Sequence, residues 1–340
     1  MLTIQKILER TFLQNDLNET EISFMFHEIF MERCTPVQTG AFLASLATKG
    51  ETPEELAAAA RVLRACAKPL EVLRQPVIDT CGTGGDGSGT FNISTTVAFV
   101  VAAAGGVVAK HGNRAVSGKC GSSDVLDFLG IPADTPHEKV EDCVRRLGIG
   151  FLFAPAFHTL TRAVVPVRRE LGVRTIFNML GPLTNPAGAR YQVTGVFRAD
   201  LTELFARAMH LLGVRRALVV HGHDGLDEIS VCAPTRITRL EYGRLRTYDL
   251  FPEMIFEEPA DASELRGGDA QVNAEMLVGV LAGELGTRRN TVLVNAAAAL
   301  TAAGLAEDLH AGVRLAAHVI DTGAAKEKME AVREFMKKAS

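Results

Sequence analysis

Between Val77 and Ser122 the chain carries a short apolar run, a glycine-rich turn, a second apolar run and a basic segment, an order that few folds accommodate. Val77-Ile78 is a β-branched pair running into Asp79-Thr80, which suits the end of a buried strand. Five of the eight residues after Cys81 are glycine, so Gly82-Thr83-Gly84-Gly85-Asp86-Gly87-Ser88-Gly89-Thr90 tolerates positive φ and lets backbone N–H groups reach a ligand without Cβ obstruction. A polyanion suits such a surface. Asn92 or Ser94 is placed to cap a helix through Thr95, Thr96, Val97, Phe99 and Val100, which stops near Gly105-Gly106 and points its positive N-terminus at the turn. Val107 to Ala109 reads as the next strand, followed by Lys110-His111-Gly112-Asn113-Arg114. Strand, turn, helix and strand imply a right-handed parallel crossover with the basic segment at a strand's carboxyl end, where open α/β sheets bind ligands.

A glycine-rich turn alone signals a ligand weakly. This one matches neither Gly-x-Gly-x-x-Gly nor Gly-x-x-x-x-Gly-Lys-Ser/Thr, so dinucleotide and nucleoside triphosphate sites lose their usual support. At 340 residues there is material for about two domains and a sizeable core. A net charge of −4 argues against a general nucleic-acid binder, which needs a basic surface. Six scattered cysteines lack zinc-like spacing and read as reduced thiols. The N-terminus has no signal-peptide apolar region, and the longest apolar run, Val97 to Ala109, falls short of the ~18 residues a membrane span needs. A cytoplasmic protein is expected.

From the N-terminus, Ile4, Ile7, Leu8 and Phe12 recur at helical spacing, and Asn18-Glu19-Thr20-Glu21 forms a capping box before Ile22, Met25, Phe26 and Ile29. Thr35-Pro36 and Gly50 bracket a third helix, and Thr52-Pro53-Glu54-Glu55 starts a fourth. Residues 1 to about 70 are thus a helical layer, with Pro69 to Pro76 as linker. Further on, Ser122-Ser123-Asp124 caps a helix, Pro136 to Leu147 gives another, and Gly150 to Ala154 reads as a strand. His158 to Leu171 is expected to be one basic helix, with Arg162 and Arg169 closer to one face than either is to Arg168. Tyr191 to Phe197, Leu201 to Leu212 and Arg216 to Val220 continue a βαβ cadence. Past it, His221 and His223 read as a satisfied loop pair rather than a metal site, and Asp227-Glu228 as loop acids able to face magnesium together. A strand near Arg236 to Leu240 precedes helices at Asn273 to Leu281, Arg289 to Ala302 and Ala325 to Lys338.

Taken in order, Gly82-Thr83-Gly84-Gly85-Asp86, Asn92-Ile93-Ser94-Thr95, Lys110 to Arg114, Asn178 to Pro186 and Asp224-Gly225-Leu226-Asp227-Glu228 resemble the anthranilate phosphoribosyltransferase family over nearly the whole chain. The resemblance implies a small all-helical N-terminal domain, residues 1–72 joined by part of 158–184, and a large α/β domain, 73–340, with a mostly parallel central sheet flanked by helices. It implies a phosphoribosyl pyrophosphate (PRPP) site at Gly82, Gly85, Asp86, Thr90, Asn92, Ile93, Ser94, Thr95, Lys110, His111, Gly112, Asn113, Arg114, Ser117, Gly118 and Ser122. Anthranilate would meet Gly82, Asn113, Arg168, His111, His158 and Pro182, with Arg168 as carboxylate partner, a role its planar fork suits. Two magnesium ions are implied, held by Ser94, Asp227 and Glu228, with Lys110 supporting the transition state and no residue assigned as a general base. One position departs from the family pattern: Thr159 stands where proline usually follows His158.

The implied assembly is a homodimer through the helical domain. The family's glutamine-using partner is a separate anthranilate synthase subunit or a fused N-terminal domain, and fusion is not expected because the chain begins at the helical layer. Pyrimidine nucleoside phosphorylases share a similar architecture but carry Lys-His-Ser before the glycine turn, where Asp79-Thr80-Cys81 stands here. A nucleic-acid-binding relative would need the basic surface that the net charge does not supply.

Overall fold

The computed structural model of the chain describes residues 1–72, 75–114, 120–257 and 260–337. The N-terminal layer is four helices, α1 (Ile4–Phe12), α2 (Glu19–Phe30), α3 (Pro36–Lys49) and α4 (Pro53–Cys66). Three of the four starts carry a capping box: Asn18 and Glu21 close one, Thr52 and Glu55 another, and Thr35 with Gln38 a third. Gly50 ends α3 at φ +86°, the left-handed half of backbone space that glycine enters at least cost. Glu55, fully buried, also accepts from the Leu17 N–H at 2.8 Å and pairs with Lys49 at 2.9 Å, joining the helix starts inside the layer.

The remainder alternates strand and helix through β1 (Val77–Asp79), α5 (Ile93–Ala103), β2 (Val107–Gly112), α6 (Ser122–Phe128), α7 (His137–Leu147) and β3 (Ile149–Phe153). After α8 (Ala154–Phe157) and α9 (Val165–Leu171) it resumes with β4 (Tyr191–Gly195), α10 (Leu201–Leu211), β5 (Arg216–Gly222), β6 (Thr235–Glu241) and β7 (Arg244–Leu250). Four helices follow: α11 (Ala270–Leu281), α12 (Thr287–Ala303), α13 (Leu309–Asp321) and α14 (Ala324–Lys337). Among the described residues, the seven strands form one sheet in the order β3-β2-β1-β4-β5-β6-β7. The first five are parallel, and β6 and β7 add an antiparallel edge. Apolar α5 and α12 are buried on nearly all sides, α5 against β2 and α12 against β4 and β5, which makes them core helices.

Three local expectations fail. The stretch from His158 to Leu171 is not one helix: it breaks at His158, passes through a 3₁₀ segment (Thr159–Val164) and restarts at Val165-Pro166, because Pro166 has no N–H to continue a ladder. Asn92 occupies the position before α5 but makes no cap; its side-chain oxygen instead accepts from Asn273 Nδ2 at 3.0 Å. The cap of α6 is Gly121, whose N–H is held by the Asp124 carboxylate at 2.8 Å, so Ser122 and Ser123 lie inside the helix. The β6-β7 hairpin turns at Tyr242 (φ 45°) and Gly243 (φ 84°), a two-residue turn without the Asn-Gly or Asp-Gly signature.

The helical layer does not bury its apolar face alone. Ile22, Phe26, Phe42 and Leu56 share one core with Val164, Val167, Ile176, Phe177 and Leu183 from the far side of β3, and the Phe26 and Phe177 ring centroids lie 5.5 Å apart. Among the described residues no helix is long and apolar enough to cross a membrane. Removing the fully buried Phe26 ring leaves a cavity between the two segments, so Phe26→Ala should cost about 3–5 kcal/mol, read as a lowered urea midpoint.

Candidate active site

The chemistry-bearing residues gather at the carboxyl ends of the parallel strands. Asp79, fully buried at the end of β1, accepts from the His111 N–H at 3.1 Å through Oδ1 and from Asn185 Nδ2 at 2.6 Å through Oδ2. Asn185 Nδ2 also donates to the Ala109 carbonyl at 2.8 Å, so one carboxylate and one amide tie β1, β2 and the loop before β4. Burial pushes the Asp79 carboxyl up to about 6 while Lys110 and these hydrogen bonds oppose the rise. Lys110, 3% exposed, donates to the Thr80 carbonyl at 2.7 Å and the Ser94 hydroxyl at 3.2 Å. Its ammonium is thereby fixed between the root of the glycine turn and the first turn of α5.

The turn is folded back onto the loop between β5 and β6. Thr83 N–H donates to the Gly195 carbonyl at 2.8 Å, and Gly84 N–H to Asp227 Oδ2 at 2.9 Å. Asp227 N–H in turn donates to Asp86 Oδ2 at 3.3 Å. Glycine is needed at Gly195, where a Cβ would overlap the Asp227 carbonyl, and a Cβ on Gly82 would be tight, 3.0 Å from Asp227 Oδ2. Gly84, Gly87 and Gly89 all take positive φ, and a Cβ on any of them would meet nothing within 4 Å, so this side of the turn is open. Burial and Asp86 push the Asp227 carboxyl upward; burial and Asp227 push Glu228 up to about 8, with only Lys110 and the Ser94 hydroxyl acting the other way. The site thus concentrates more negative charge than Lys110 offsets. Among the described residues no three His, Cys, Asp or Glu side chains form a complete metal site, but two carboxylates and a hydroxyl beside an open phosphate-sized cradle fit magnesium, which takes one or two carboxylates and completes its shell with substrate phosphates and water.

On the other flank, His111 Nδ1 lies 3.0 Å from the Gly181 carbonyl, beside the buried Pro182, and the His111 and His158 rings meet edge to face at 5.2 Å. Both histidines are buried and held neutral by it, His111 being pushed down to about 3 and His158 lowered. His111 Nε2 has no hydrogen-bond partner among the described residues, while the His158 ring faces the backbone of Thr184 and Leu63. Arg168 is half-buried with its guanidinium 5.5 Å over the Phe177 ring, and makes no ion pair among the described residues, whereas Arg162 and Arg169 are exposed.

The remaining expected residues divide. Asn113 and Ser122 pair through backbone and hydroxyl at 3.1 and 3.2 Å, and Gly112 lies against Ser122 so closely that a Cβ would reach its hydroxyl. Thr90 bridges to Arg266. Ile93 is 2% exposed in the main core, leaving only its backbone to face a ligand, and Thr95 is buried with its hydroxyl unpartnered. Arg114 is engaged by Asp124 at 3.1 Å and Asp127 at 2.7 Å, so its charge is already answered. Ser117 and Gly118 lie outside the described residues. Arg174 carries no sequence signal of its own, yet it donates to the Gly85 carbonyl and lies 4.3 Å over the Phe197 ring, fastening the turn to the segment that completes the helical layer.

Two glycosyl transferase family models fit this arrangement of a helical bundle beside a parallel sheet whose glycine turn closes on an acidic loop. They are the helical bundle domain, matching residues 3–67, and the a/b domain, matching residues 74–326. It is 57% identical to an anthranilate phosphoribosyltransferase of Desulfosudis oleivorans over 336 residues, 98% of either chain. It superposes on the crystal structure of that enzyme from Thermus thermophilus with a TM-score of 0.92 at 42% identity, covering 97% of this chain and 99% of that one. On the Saccharomyces cerevisiae enzyme in complex with PRPP and Mg the TM-score is 0.87 at 25% identity, covering 98% of each. The chain belongs to the anthranilate phosphoribosyltransferase family.

An acid whose native pKa lies above its unfolded value opposes folding once ionised, so Glu228 withdraws stability as pH rises from its ordinary 4.5 through about 8. Glu228→Gln should therefore raise the urea midpoint of the chelator-treated protein at pH 8.5, with the gain fading as pH falls toward 4.5. A pH-independent difference would exclude ionisation at Glu228 as its source.

Proposed function

We propose that this chain transfers the 5-phosphoribosyl group of PRPP to the amine of anthranilate, giving N-(5-phosphoribosyl)anthranilate and pyrophosphate in tryptophan biosynthesis. The observation that carries this reading is the clasp of the glycine turn by Asp227 beside Glu228 and Lys110, in a chain matching its named relatives almost end to end. The open backbone of the turn, with Asp86, Thr90, Asn92, Ser94, Thr95, Ser122 and the Lys110 ammonium, receives the phosphosugar. Asp227, Glu228 and Ser94 hold magnesium, two ions in the full reading, which supplies Lewis-acid neutralisation of the pyrophosphate when bound. Anthranilate lies against Gly82 and Asn113, with its carboxylate on Arg168 and the neutral His111 and His158 rings and Pro182 beside it. Arg168 is suited to this because burial already lowers its affinity for the proton and no acid among the described residues answers its charge, so an incoming carboxylate would.

The amine nitrogen donates its lone pair to C1 of the ribose as the C1–oxygen bond breaks, and pyrophosphate departs with the electron pair through an oxocarbenium-like transition state. The new ammonium then loses its proton to solvent. An arylamine needs little deprotonation to attack, so rate comes from positioning and from Lys110 and backbone N–H groups facing the leaving oxygens, not from a strong base. The division at about residue 72, the return of part of 158–184 to the helical domain and a homodimer through that domain belong to the same proposal. Exposed Phe12, Leu13 and Val37 on the helical layer support the dimer. Free cysteines support a reducing, cytoplasmic setting, in which separate anthranilate synthase subunits are the implied partners.

Anthranilate fluorescence should fall only when PRPP and magnesium are both present, against low background because the chain has no Trp; loss without PRPP would refute the assignment. Arg168→Ala should raise the anthranilate KM about 10- to 100-fold, the worth of charge-assisted hydrogen bonds, with the PRPP KM nearly unchanged. Arg174→Ala should do the reverse, because it frees the turn rather than the carboxylate pocket. Equal effects of the two variants on both KM values would dissolve the division of labour between them.

A further inference from the structure

A cleft of about 620 Å³ opens at the opposite end of the sheet from the candidate active site. It lies where three neighbouring strands begin: Pro76 precedes β1, Tyr191 opens β4 and Arg215 precedes β5, with Arg190, Gly188 and the end of α12 at Ala303 completing the wall. From Tyr191 to Gly195 the strand covers about 13 Å at ~3.3 Å per residue, so the cleft is separated from the glycine turn by the height of the sheet. Its volume falls within the range of small-molecule sites, roughly 300–1,000 Å³.

Two features of this cleft are unexplained by folding. Arg190 and Arg215 are exposed and, among the described residues, neither side chain makes an ion pair or a hydrogen bond, although the next arginine, Arg216, pairs with Glu241 at 3.3 Å. Their backbones are held side by side, because the N–H groups of Arg215 and Arg216 donate to the Arg190 carbonyl at 2.9 and 3.3 Å. The lip is equally built: Ala187 N–H donates to Asn185 Oδ1 at 2.9 Å and Gly188 N–H to the Asn185 carbonyl at 3.1 Å. Asn185 is the residue whose amide braces Asp79 and Ala109 beneath the active site. In a chain of net charge −4, two unanswered guanidiniums on a braced cleft are an anion site in waiting.

We infer that this cleft binds a phosphorylated small molecule, with the Arg190 and Arg215 guanidiniums on its phosphate oxygens and the Tyr191 and Pro76 side chains along its organic part. Arginine's planar fork matches phosphate bidentately, and its full charge makes such bonds the stronger kind. The proposal does not depend on the reaction assigned above.

Calorimetric titration of the full chain with inorganic pyrophosphate in saturating magnesium, at ionic strength held constant with chloride, should find two sites per chain. In R190Q/R215Q one of them should weaken at least tenfold, while PRPP-dependent consumption of anthranilate, which uses neither arginine, stays at the wild-type rate and reports the fold. An AMP arm separates sources: tighter binding than pyrophosphate at the arginine-dependent site means a ligand with an organic group, weaker binding means free phosphates. Pyrophosphate bound with the same stoichiometry and affinity by wild type and variant overturns the inference, whereas a single site that the variant loses still supports it.

Discussion

Everything at the candidate site depends on how closely two stretches of backbone approach. The glycine turn after β1 and the loop after β5 are 143 residues apart at their hydrogen bond from Gly84 to Asp227, and they touch because Gly195 has no side chain. That approach brings the acids under the open face of the turn, in a pocket where Lys110 is the cation among them. The acids then resist ionising, as burial next to like charge requires. A divalent cation relieves the repulsion that the fold creates, so the same close approach that costs the unliganded protein stability prepares the site for metal and pyrophosphate.

The two flanks of the site are governed differently. On the phosphate side, positions are set by main-chain groups and by charge. On the aromatic side, burial keeps His111 and His158 neutral, so these two rings add no charge. Arg168 is stacked on Phe177 and makes no ion pair among the described residues. A planar acid with an uncharged amine fits such a wall better than a phosphate does.

Much of this was legible in the order of residues. Capping boxes at Asn18 and Thr52 announce their helices because they are local, and the glycine turn announces the crossover because few other folds tolerate five glycines there. Local cues failed where a distant partner decides the outcome. Asn92 looks like a helix cap until Asn273, 181 residues away, takes its oxygen. Arg114 belongs to a basic run, but Asp124 and Asp127 on α6 claim it. Arg174 is one arginine among many until the fold sets it against Gly85, and the hairpin at Tyr242-Gly243 hides behind a residue that seldom takes positive φ. The proposed site roles rest on family resemblance; periodicity and spacing reach as far as an anion cradle and a pair of loop acids.

The aromatic contact between Phe26 and Phe177 also bears on how the chain is made. Helices α1 to α4 leave the ribosome first, yet their shared core includes Val164, Val167, Ile176 and Leu183. Until those residues are synthesised, the first four helices have capped ends but an uncovered apolar face, and at roughly 5–20 residues per second that interval lasts on the order of ten seconds. The nascent N-terminal segment therefore waits, with an apolar face open to chaperones and to chance association, on the middle of the chain.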